Sequence, residues 1–562
     1  MTLMTLMAPN ATTRAHALLV LLVSWWGTAA AATPRPKIIV TMIIDDLGWA
    51  DTTLNRGVAS PDVPTIHLQG LADAGVRLTQ MHSQPVCSPT RAALMTARFP
   101  FRDGMQHKNT IVPGSTAALP VTTPTLPELF SEHSRGNVTS AMVGKWHLGY
   151  ASYNNTPTGR GFHHYVGYMQ GQVDYFNKTV AVGYGKGYDF WDGDTLDRSA
   201  AGNYSLPQYE AAWERVIEDF ATSLDDAHGA DNVQMRQQQQ QQQQQLYLYL
   251  AFQTVHIPIE AAGEDARCNH IPDYWRRVYC SMLVELDDAV GRIVKTLAAA
   301  VGDDFVILAM SDNGAQVRWA TYGGNKTHNK PFWPASTGDN RPLRGSKFTL
   351  FQGGVRATAF VYSPSTTLIP AQRRNTTYDG LMHACDFAAT ALALGGVNLT
   401  EVGTQTHVDG INHWDAIISG GSNSLRNHVP INVVSQGKDF SAVRFGDLKL
   451  IVGTPTYGIK HGDGWYVAGL SPEAEPAPAH KKGDPYLFNV TADPTEHHEL
   501  DVEAYADAVK EGQALLDEYV NSGVYAEPQK NTPHLGSLPF LHSGAWMPWL
   551  DKQPQPPHIN FD

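Results

Sequence analysis

The chain has 562 residues, of which 42% are hydrophobic and 17% are charged, a composition typical of a globular protein with two or more domains. Its formal net charge of -13 is spread along the chain without a basic run, which argues against a nucleic-acid partner. Four cysteines are too few for a fold built mainly on disulfides.

Residues 1–32 have the pattern of a signal peptide. Arg14 precedes the apolar stretch 17–23, and the small residues 29–32 follow it. The apolar stretch is short for a membrane span, so a retained anchor is the less favoured alternative. Beyond residues 1–32, glycosylation sequons begin at eight asparagines: Asn137, Asn154, Asn177, Asn203, Asn325, Asn375, Asn398 and Asn489. We therefore expect a secretory-pathway glycoprotein, extracellular or lysosomal, with no stable membrane anchor.

A buried strand is predicted at 37–44, where a continuous β-branched run suits a parallel sheet covered on both faces. Similar runs follow at 246–252 and 305–310. Between these two runs, the apolar residues from Tyr279 to Leu297 keep helical spacing. Strand, helix and strand in this order predict an α/β fold.

The three strands end in polar residues: Asp45 and Asp46, then Gln253 to His256, then Asp312 and Asn313. Because ligands bind at the carboxyl ends of strands in open α/β sheets, we expect these ends to share one site. The first and third ends offer only oxygen ligands, which suit calcium or magnesium better than zinc. Calcium is favoured, since magnesium demands stricter geometry. A solvated turn is the alternative for an isolated Asp-Asp pair.

The run Cys87-Ser88-Pro89-Thr90-Arg91 follows the first strand. Pro89 suits the first turn of a helix, so we expect Cys87 at a helix N-terminus, where free N–H groups and the dipole favour an anion. Arg91 lies in the same turn and would hold residue 87 or the anion. An ordinary helix start with a surface arginine is the alternative.

Further cationic and imidazole side chains come from later segments. Lys145 and His147 stand two residues apart, and on an extended segment they would share one side, which suits a tetrahedral oxyanion. His256 closes its strand, although a lone histidine there is more often structural. Lys347 and the run Gly353 to Arg356 combine glycines with basic residues, as in loops that approach an anion closely.

The domain organisation follows from the same patterns. We predict a catalytic α/β domain at 33–430 and a smaller domain at 431–525. Short strand-like runs at 431–434, 441–445 and 448–452 predict an antiparallel sheet there, followed by a helix at 502–519. Residues 526–562 are predicted to form a proline-rich tail. Cys268 and Cys280 are the favoured disulfide pair, and Cys385 is expected to be a buried thiol.

Two segments are predicted insertions. The glutamine run 237–245 is expected to form a disordered surface loop, because glutamine repeats bury no apolar surface. The second insertion, at about 316–340, contains two tryptophans and the Asn325 sequon.

In this order, the segments resemble the sulfatase family, and most nearly the enzymes related to arylsulfatase B, the N-acetylgalactosamine-4-sulfatase. The likeness runs from about 35 to 525 and includes C-x-P-x-R, G-K-W-H-L-G, S-D-N-G, P-L-R-G-x-K and G-G-V-R. It implies an alkaline-phosphatase-like sandwich, with a large mixed, mostly parallel sheet between helices and a smaller C-terminal antiparallel sheet. The implied activity is hydrolysis of sulfate esters of small molecules or glycans.

The resemblance also implies roles for individual residues. One calcium ion would be held by Asp45, Asp46, Asp312 and Asn313 and would contact residue 87. A formylglycine-generating enzyme would oxidise Cys87 to formylglycine, whose hydrate attacks sulfur. His147 would then remove a proton from the remaining hydroxyl. The sulfate and the leaving oxygen would be bound by Lys145, His256 and Lys347, with Arg91 supporting residue 87.

Ala97 departs from the family pattern, which usually has glycine at that position of the extended signature. The departure bears on whether Cys87 is converted. A non-catalytic binder of sulfated glycans that retains the thiol therefore stays open as one alternative. A phosphodiesterase or phosphonate hydrolase of the same superfamily is the other, since sulfate and phosphate esters are similar in shape.

Overall fold

A computed structural model describes residues 35–55, 62–106, 110–134, 137–229, 244–317, 321–322, 337–421, 424–435, 440–456, 459–460, 464–465, 480–481 and 483–551. The predicted signal peptide and most of both predicted insertions lie outside these residues, as do Asn325 and the two tryptophans of the second insertion. Gln245, at the end of the glutamine run, is described, and there the loop prediction is wrong. It begins a buried strand, because its side-chain amide bonds the carbonyl oxygens of Pro36 and Leu394 at 2.8 and 3.1 Å.

The described strands, in chain order, are β1 Ile38–Ile44, β2 Val76–Leu78, β3 Met81–His82, β4 Val138–Lys145, β5 His164–Tyr168, β6 Thr179–Val182, β7 Gly185–Tyr188, β8 Trp191–Asp192, β9 Thr195–Leu196, β10 Gln245–Phe252, β11 Phe305–Ser311, β12 Thr321–Tyr322, β13 Ala359–Tyr362, β14 Thr376–Tyr378, β15 Met382–His383, β16 His428–Asn432, β17 Ser441–Phe445, β18 Leu448–Val452, β19 Ile459–Lys460 and β20 Tyr486–Asn489.

The described α-helices are α1 Ile66–Ala74, α2 Cys87–Thr96, α3 Leu126–His133, α4 Ser205–Gly229, α5 Tyr274–Val301, α6 Gln352–Val355, α7 Ala384–Leu394, α8 Leu399–Gln405, α9 Trp414–Ser419 and α10 Ala506–Asn521. Helix α5 is the amphipathic helix that the apolar spacing predicts, and Asp273 caps its N-terminus by accepting from the Arg276 N–H.

The large sheet has the strand order β14-β2-β13-β11-β1-β10-β4-β5-β8-β9. Its centre is parallel, since β1 pairs with β10 and β11, and β4 pairs with β10 and β5, all in parallel. Strands β13 and β8 join it antiparallel. Every residue of β1 is buried, as the continuous β-branched run predicts. The predicted α/β class with a large mixed, mostly parallel sheet is confirmed.

The register of the central strands brings their carboxyl ends together. Ile44 pairs with both Phe252 of β10 and Ser311 of β11, and Gly144 of β4 pairs with Ala251. The residues that follow these partners therefore emerge at one edge of the sheet. That edge carries the predicted aspartates together with Lys145.

A smaller antiparallel sheet has the order β16-β17-β18-β20, and α10 packs against β17 and β18. The sequence prediction of an antiparallel C-terminal sheet with a helix is confirmed. Strands β17 and β18 have the predicted bounds, and the helix is displaced a few residues from the prediction. The domain boundaries at 430 and 525 stay predictions.

The cysteines are arranged as predicted. Cys268 and Cys280 form a disulfide, and Cys385 is a buried free thiol, as is Cys87. Within the described residues, none of the helices combines the length and the apolar character that a membrane span requires.

Candidate active site

Cys87 is the first residue of α2, and all ten residues of this helix are buried. Its N-cap, Val86, is extended and provides no side-chain cap, so the first N–H groups of the helix stay available to an anion. The predicted position of Cys87 at a helix N-terminus is therefore observed. Burial raises the pKa of the Cys87 thiol to about 12, so the neutral thiol predominates at neutral pH.

The acidic residues surround Cys87. The Asp45 Oδ1 atom lies 3.7 Å from the Cys87 Sγ atom, and the Asp46 backbone N–H donates to Asp312 Oδ1 at 3.2 Å. The Asn313 amide donates to Asp46 Oδ1 at 2.7 Å. All four side chains are buried. The sheet edge thus brings together two adjacent pairs, Asp45 with Asp46 and Asp312 with Asn313, that are about 270 residues apart in the chain.

Three buried cations neutralise these carboxylates. Arg91 donates to Asp312 Oδ2 from Nε at 3.1 Å and from Nη2 at 2.9 Å. Lys145 Nζ lies 2.7 Å from Asp45 Oδ2, and Lys347 Nζ lies 2.7 Å from Asp46 Oδ1. Burial alone would lower the pKa of Lys347, but Asp46 raises it above its ordinary value, so this lysine stays charged.

His256 joins the same cluster. Its Nε2 atom accepts from the Lys347 ammonium at 3.0 Å, and its Nδ1 atom lies 2.8 Å from the Ile257 carbonyl oxygen. This arrangement assigns the proton to Nδ1. Burial, reinforced by Lys347, lowers the pKa of His256 well below its usual range, which keeps the ring neutral.

His147 lies on a different side of the site from His256. Its Nε2 atom donates to the Ile111 carbonyl oxygen at 3.1 Å, so Nδ1 carries the lone pair, and Nδ1 is buried with no hydrogen-bond partner among the described residues. Burial, with Lys145 and Arg91 nearby, lowers the pKa of His147 well below its usual range. The structure thus provides a neutral imidazole with a free basic atom.

The backbone on this side of the site differs from the sequence prediction. Lys145 ends β4, but His147 has a φ of 58° in the left-handed region, so the expected extended segment with both side chains on one side is wrong at His147. Asp46 also has a φ of 58°. Strained residues of this kind cluster at functional sites.

Gly171 makes room for the imidazole. A Cβ atom at this position would lie 2.7 Å from both Cε1 and Nε2 of His147, closer than side-chain carbons approach. The sequence contains no pattern that marks Gly171 or Ile111. Gly171 acts through close packing and Ile111 through its backbone carbonyl, and the residue type predicts neither role.

The donor set can hold a cation. One ligand atom each from Asp45, Asp46, Cys87 and His256 lie within 4.8 Å of one another. Asn313 Oδ1 is buried and has no hydrogen-bond partner among the described residues. Burial raises the pKa of Asp312, and repulsion from the charge of Asp45 raises it further. A divalent cation would relieve that repulsion. The oxygen donors of Asp45, Asp46 and Asn313 therefore fit a metal ion that prefers oxygen ligands.

All predicted site residues described above lie within this one region of the sheet edge: Asp45, Asp46, Cys87, Arg91, Lys145, His147, His256, Asp312, Asn313 and Lys347. Arg356 of the G-G-V-R run is set apart from them, with its guanidinium 4.6 Å from the centre of the Trp49 ring.

Comparison with known proteins gives a consistent result. A family model described as Sulfatase matches residues 37–397. The chain is 28% identical to arylsulfatase J of Mus musculus over 553 residues, covering 94% of this chain and 82% of the relative. It is 26% identical to N-acetylgalactosamine-6-sulfatase of Mus musculus over 546 residues, covering 91% and 92%. The crystal structure of the PsFucS1 sulfatase from Pseudoalteromonas sp. has a similar fold, with a TM-score of 0.62, 22% identity and coverage of 93% and 96%.

Proposed function

The chain belongs to the sulfatase family, and we propose that it hydrolyses sulfate esters of aryl compounds or carbohydrates. The observation that carries this proposal is the convergence of Arg91, Lys145 and Lys347 on the carboxylates around Cys87. A sulfate ester is an anionic tetrahedral group, and its hydrolysis builds negative charge on oxygen. Fixed cations in a buried site stabilise such charge far more than they would in water.

We propose calcium as the cofactor, held by Asp45, Asp46, Asp312 and Asn313 together with residue 87. The oxygen donors suit a hard cation, and the resemblance to the family implies calcium. When bound, the ion would supply positive charge to sulfate oxygens as a Lewis acid. The chain's own part is to hold the carboxylates in place, which it does through Arg91 and through the hydrogen bond from the Asp46 N–H to Asp312.

Cys87 is proposed to be converted to formylglycine by a formylglycine-generating enzyme during maturation. In its hydrated form, formylglycine supplies a hydroxyl nucleophile for sulfur. The chain presents residue 87 at the uncapped N-terminus of α2, where the helix dipole favours negative charge. Neither Ala97 nor the predicted insertions remove a proposed catalytic residue.

Each remaining polar residue has a role that its contacts support. Lys145 and Lys347 bind the sulfate oxygens as point charges, and His256, which accepts from Lys347, lies beside the leaving oxygen. Arg91 keeps the Asp312 carboxylate in place by donating two hydrogen bonds to it. His147 accepts a proton at Nδ1, the atom that its contact with Ile111 leaves unprotonated.

The substrate class is proposed from two sources. Relatives named as an arylsulfatase and as an N-acetylgalactosamine-6-sulfatase each match most of the chain. Aryl sulfates and sulfated amino sugars are therefore the first substrates to assay. Residues at the rim of a pocket set such preferences. The predicted insertion near 316–340 lies in the sequence between the proposed site residues Asn313 and Lys347.

Secretory-pathway entry is part of the proposal. The sequence of residues 1–32 supports it, and the sequons agree, because five of their asparagines are exposed: Asn154, Asn177, Asn203, Asn375 and Asn398. An extracellular or lysosomal destination follows from the same features.

The test compares three substrates on one preparation: 4-nitrocatechol sulfate, bis(4-nitrophenyl) phosphate, and N-acetylgalactosamine sulfated at O4 or O6. We expect turnover of at least one sulfate ester and little turnover of the phosphate diester, with both lost in Cys87→Ala. Preferred cleavage of the diester would assign a phosphodiesterase. Binding of the sulfated sugar without turnover by protein that retains the Cys87 thiol would assign a glycan binder.

A further inference from the structure

Residues 526–551 run back from the small sheet to the main body of the protein, and we call this segment the C-terminal strap. Its backbone donates from Ala526 to the Phe101 carbonyl at 2.8 Å and from His534 to the Gly114 carbonyl at 2.8 Å. Trp546 is fully buried, and its ring N–H donates to the Val180 carbonyl at 3.1 Å. The strap is therefore fixed in place, although its sequence predicts only a tail.

Asn531 connects the strap to the loop at 110–112. Its amide group donates from Nδ2 to the Thr110 carbonyl at 2.6 Å and accepts at Oδ1 from the Val112 N–H at 3.0 Å. An amide can do both at once, whereas an ionised carboxylate of the same reach can only accept. Asn531 thus holds both residues that flank Ile111.

Ile111 is the residue whose backbone contacts two parts of the site. Its carbonyl oxygen accepts from His147 Nε2 at 3.1 Å, and its N–H donates to the Ser88 Oγ atom at 3.2 Å. Ser88 immediately follows Cys87. The same peptide segment therefore fixes the tautomer of His147 and contacts the start of the helix that presents residue 87.

We propose that Asn531 is a positioning residue for His147. It fixes the Ile111 carbonyl, and that carbonyl keeps the His147 proton on Nε2 and the lone pair of Nδ1 directed away from the loop. The proposal rests on the proposed function, in which Nδ1 of His147 accepts a proton. It gives the C-terminal strap a role in catalysis, although no residue of the strap belongs to the catalytic set.

Gln529 provides a matched control on the same strap. Its Nε2 atom donates to the Asp103 and Ala118 carbonyls at 2.9 and 2.8 Å, and its Oε1 atom accepts from the Ala118 N–H at 3.1 Å. It makes at least as many hydrogen bonds to the main body as Asn531, and none of them involves residues 110–112. Loss of Gln529 weakens the strap without releasing Ile111.

The experiment is a double-mutant cycle on aryl sulfate turnover, with wild type, Asn531→Ala, His147→Ala, the double variant and Gln529→Ala. Asn531→Ala is expected to lower kcat/KM about tenfold, the lower end of the loss seen when the partner that orients a metal-bound histidine is removed. In the His147→Ala background, Asn531→Ala should change kcat/KM by less than about twofold, because the residue it acts through is gone. Gln529→Ala should stay within about twofold of wild type even where its thermal midpoint falls.

Independent effects, in which the losses of the two single variants multiply, would overturn the proposal, as would an Asn531→Ala enzyme with wild-type kinetics. A second measurement, of the His147 tautomer, tests the proposal independently of enzyme activity. In protein with 15N-labelled histidine, the His147 signal, identified by its absence in His147→Ala, should report the Nε2–H tautomer in wild type and a mixture in Asn531→Ala. Unchanged tautomers would also overturn it. If wild type turns over no sulfate ester, the proposed function fails, and the tautomer result still decides the positioning role.

Discussion

The ammonium group of Lys347 lies 3.0 Å from Nε2 of His256, and it also pairs with Asp46 at 2.7 Å. A charged donor and a neutral ring acceptor thus stand side by side at the end of β10, both buried. Because Asp46 keeps Lys347 charged although the lysine is buried, the pair offers a fixed positive charge for the sulfate oxygen that the proposed function places here.

Replacing Lys347 by methionine is expected to lower kcat/KM for an aryl sulfate by about 100- to 1,000-fold, the loss typical for removal of one charge-stabilising group. The side chain keeps its length, so packing changes little. Lys186→Met, at an exposed position of β7, is the matched control and should leave kinetics unchanged. Wild-type kinetics for Lys347→Met would remove this residue from the sulfate-binding set.

Removal of the metal should abolish turnover and lower the thermal midpoint. The carboxylates of Asp45, Asp46 and Asp312 are buried together, and burial with the charge of Asp45 raises the pKa of Asp312. EGTA-treated protein should recover both properties with calcium, and at a concentration 100 times Kd the ion would stabilise the fold by about 2.7 kcal/mol. Asp312→Asn should lose this calcium response, and the exposed Asp303→Asn should keep it. Full activity after exhaustive chelation would contradict the assignment.

Gly171→Ala is expected to lower kcat/KM by about tenfold or more, because the added Cβ would meet the His147 ring at 2.7 Å and displace its Nδ1 atom. Gly193→Ala is a control with open space around the added carbon, although its positive φ makes a small loss of stability expected. An unchanged kcat/KM for Gly171→Ala would mean that the imidazole position is not critical.

Stability should decline as the pH falls below about 6.5, the ordinary pKa of histidine in an unfolded chain. Burial lowers the pKa of His383 to about 3, with Arg426 adding to the shift and Asp386 opposing it. As the pH falls below 6.5, His383 therefore binds a proton in the unfolded state but stays neutral in the folded state. This contribution is fully present above pH 6.5 and is lost as the pH falls toward 3.

The neighbouring carboxylates lose their stabilising effect only at lower pH, since the pKa of Asp386 is lowered and Asp409 has a pKa of about 2. His383→Asn retains an N-cap for α7 and removes the titration. The thermal midpoint of this variant should approach that of wild type as the pH is lowered from 7 to 5. A constant difference between the two midpoints would contradict the assignment.

The sequence predicts much of this site because its residues belong to strand ends and to a helix start. The β-branched runs mark β1, β10 and β11, and the polar residues after them mark their carboxyl ends. Ile111 and Asn531 could not be found in this way. A backbone carbonyl has no sequence signature, and Asn531 lies in a segment whose prolines and polar residues predict only a tail. The sequence also does not predict the left-handed backbone of His147, because this conformation depends on local packing and not on residue type.

Peptide mass spectrometry across residues 77–102 of active, purified protein shows which chemical group residue 87 carries. We expect the formylglycine aldehyde or its hydrate in place of the cysteine thiol, and a converted fraction that tracks specific activity on sulfate esters across preparations. An unmodified thiol at residue 87 throughout fully active material would mean that formylglycine is not the nucleophile.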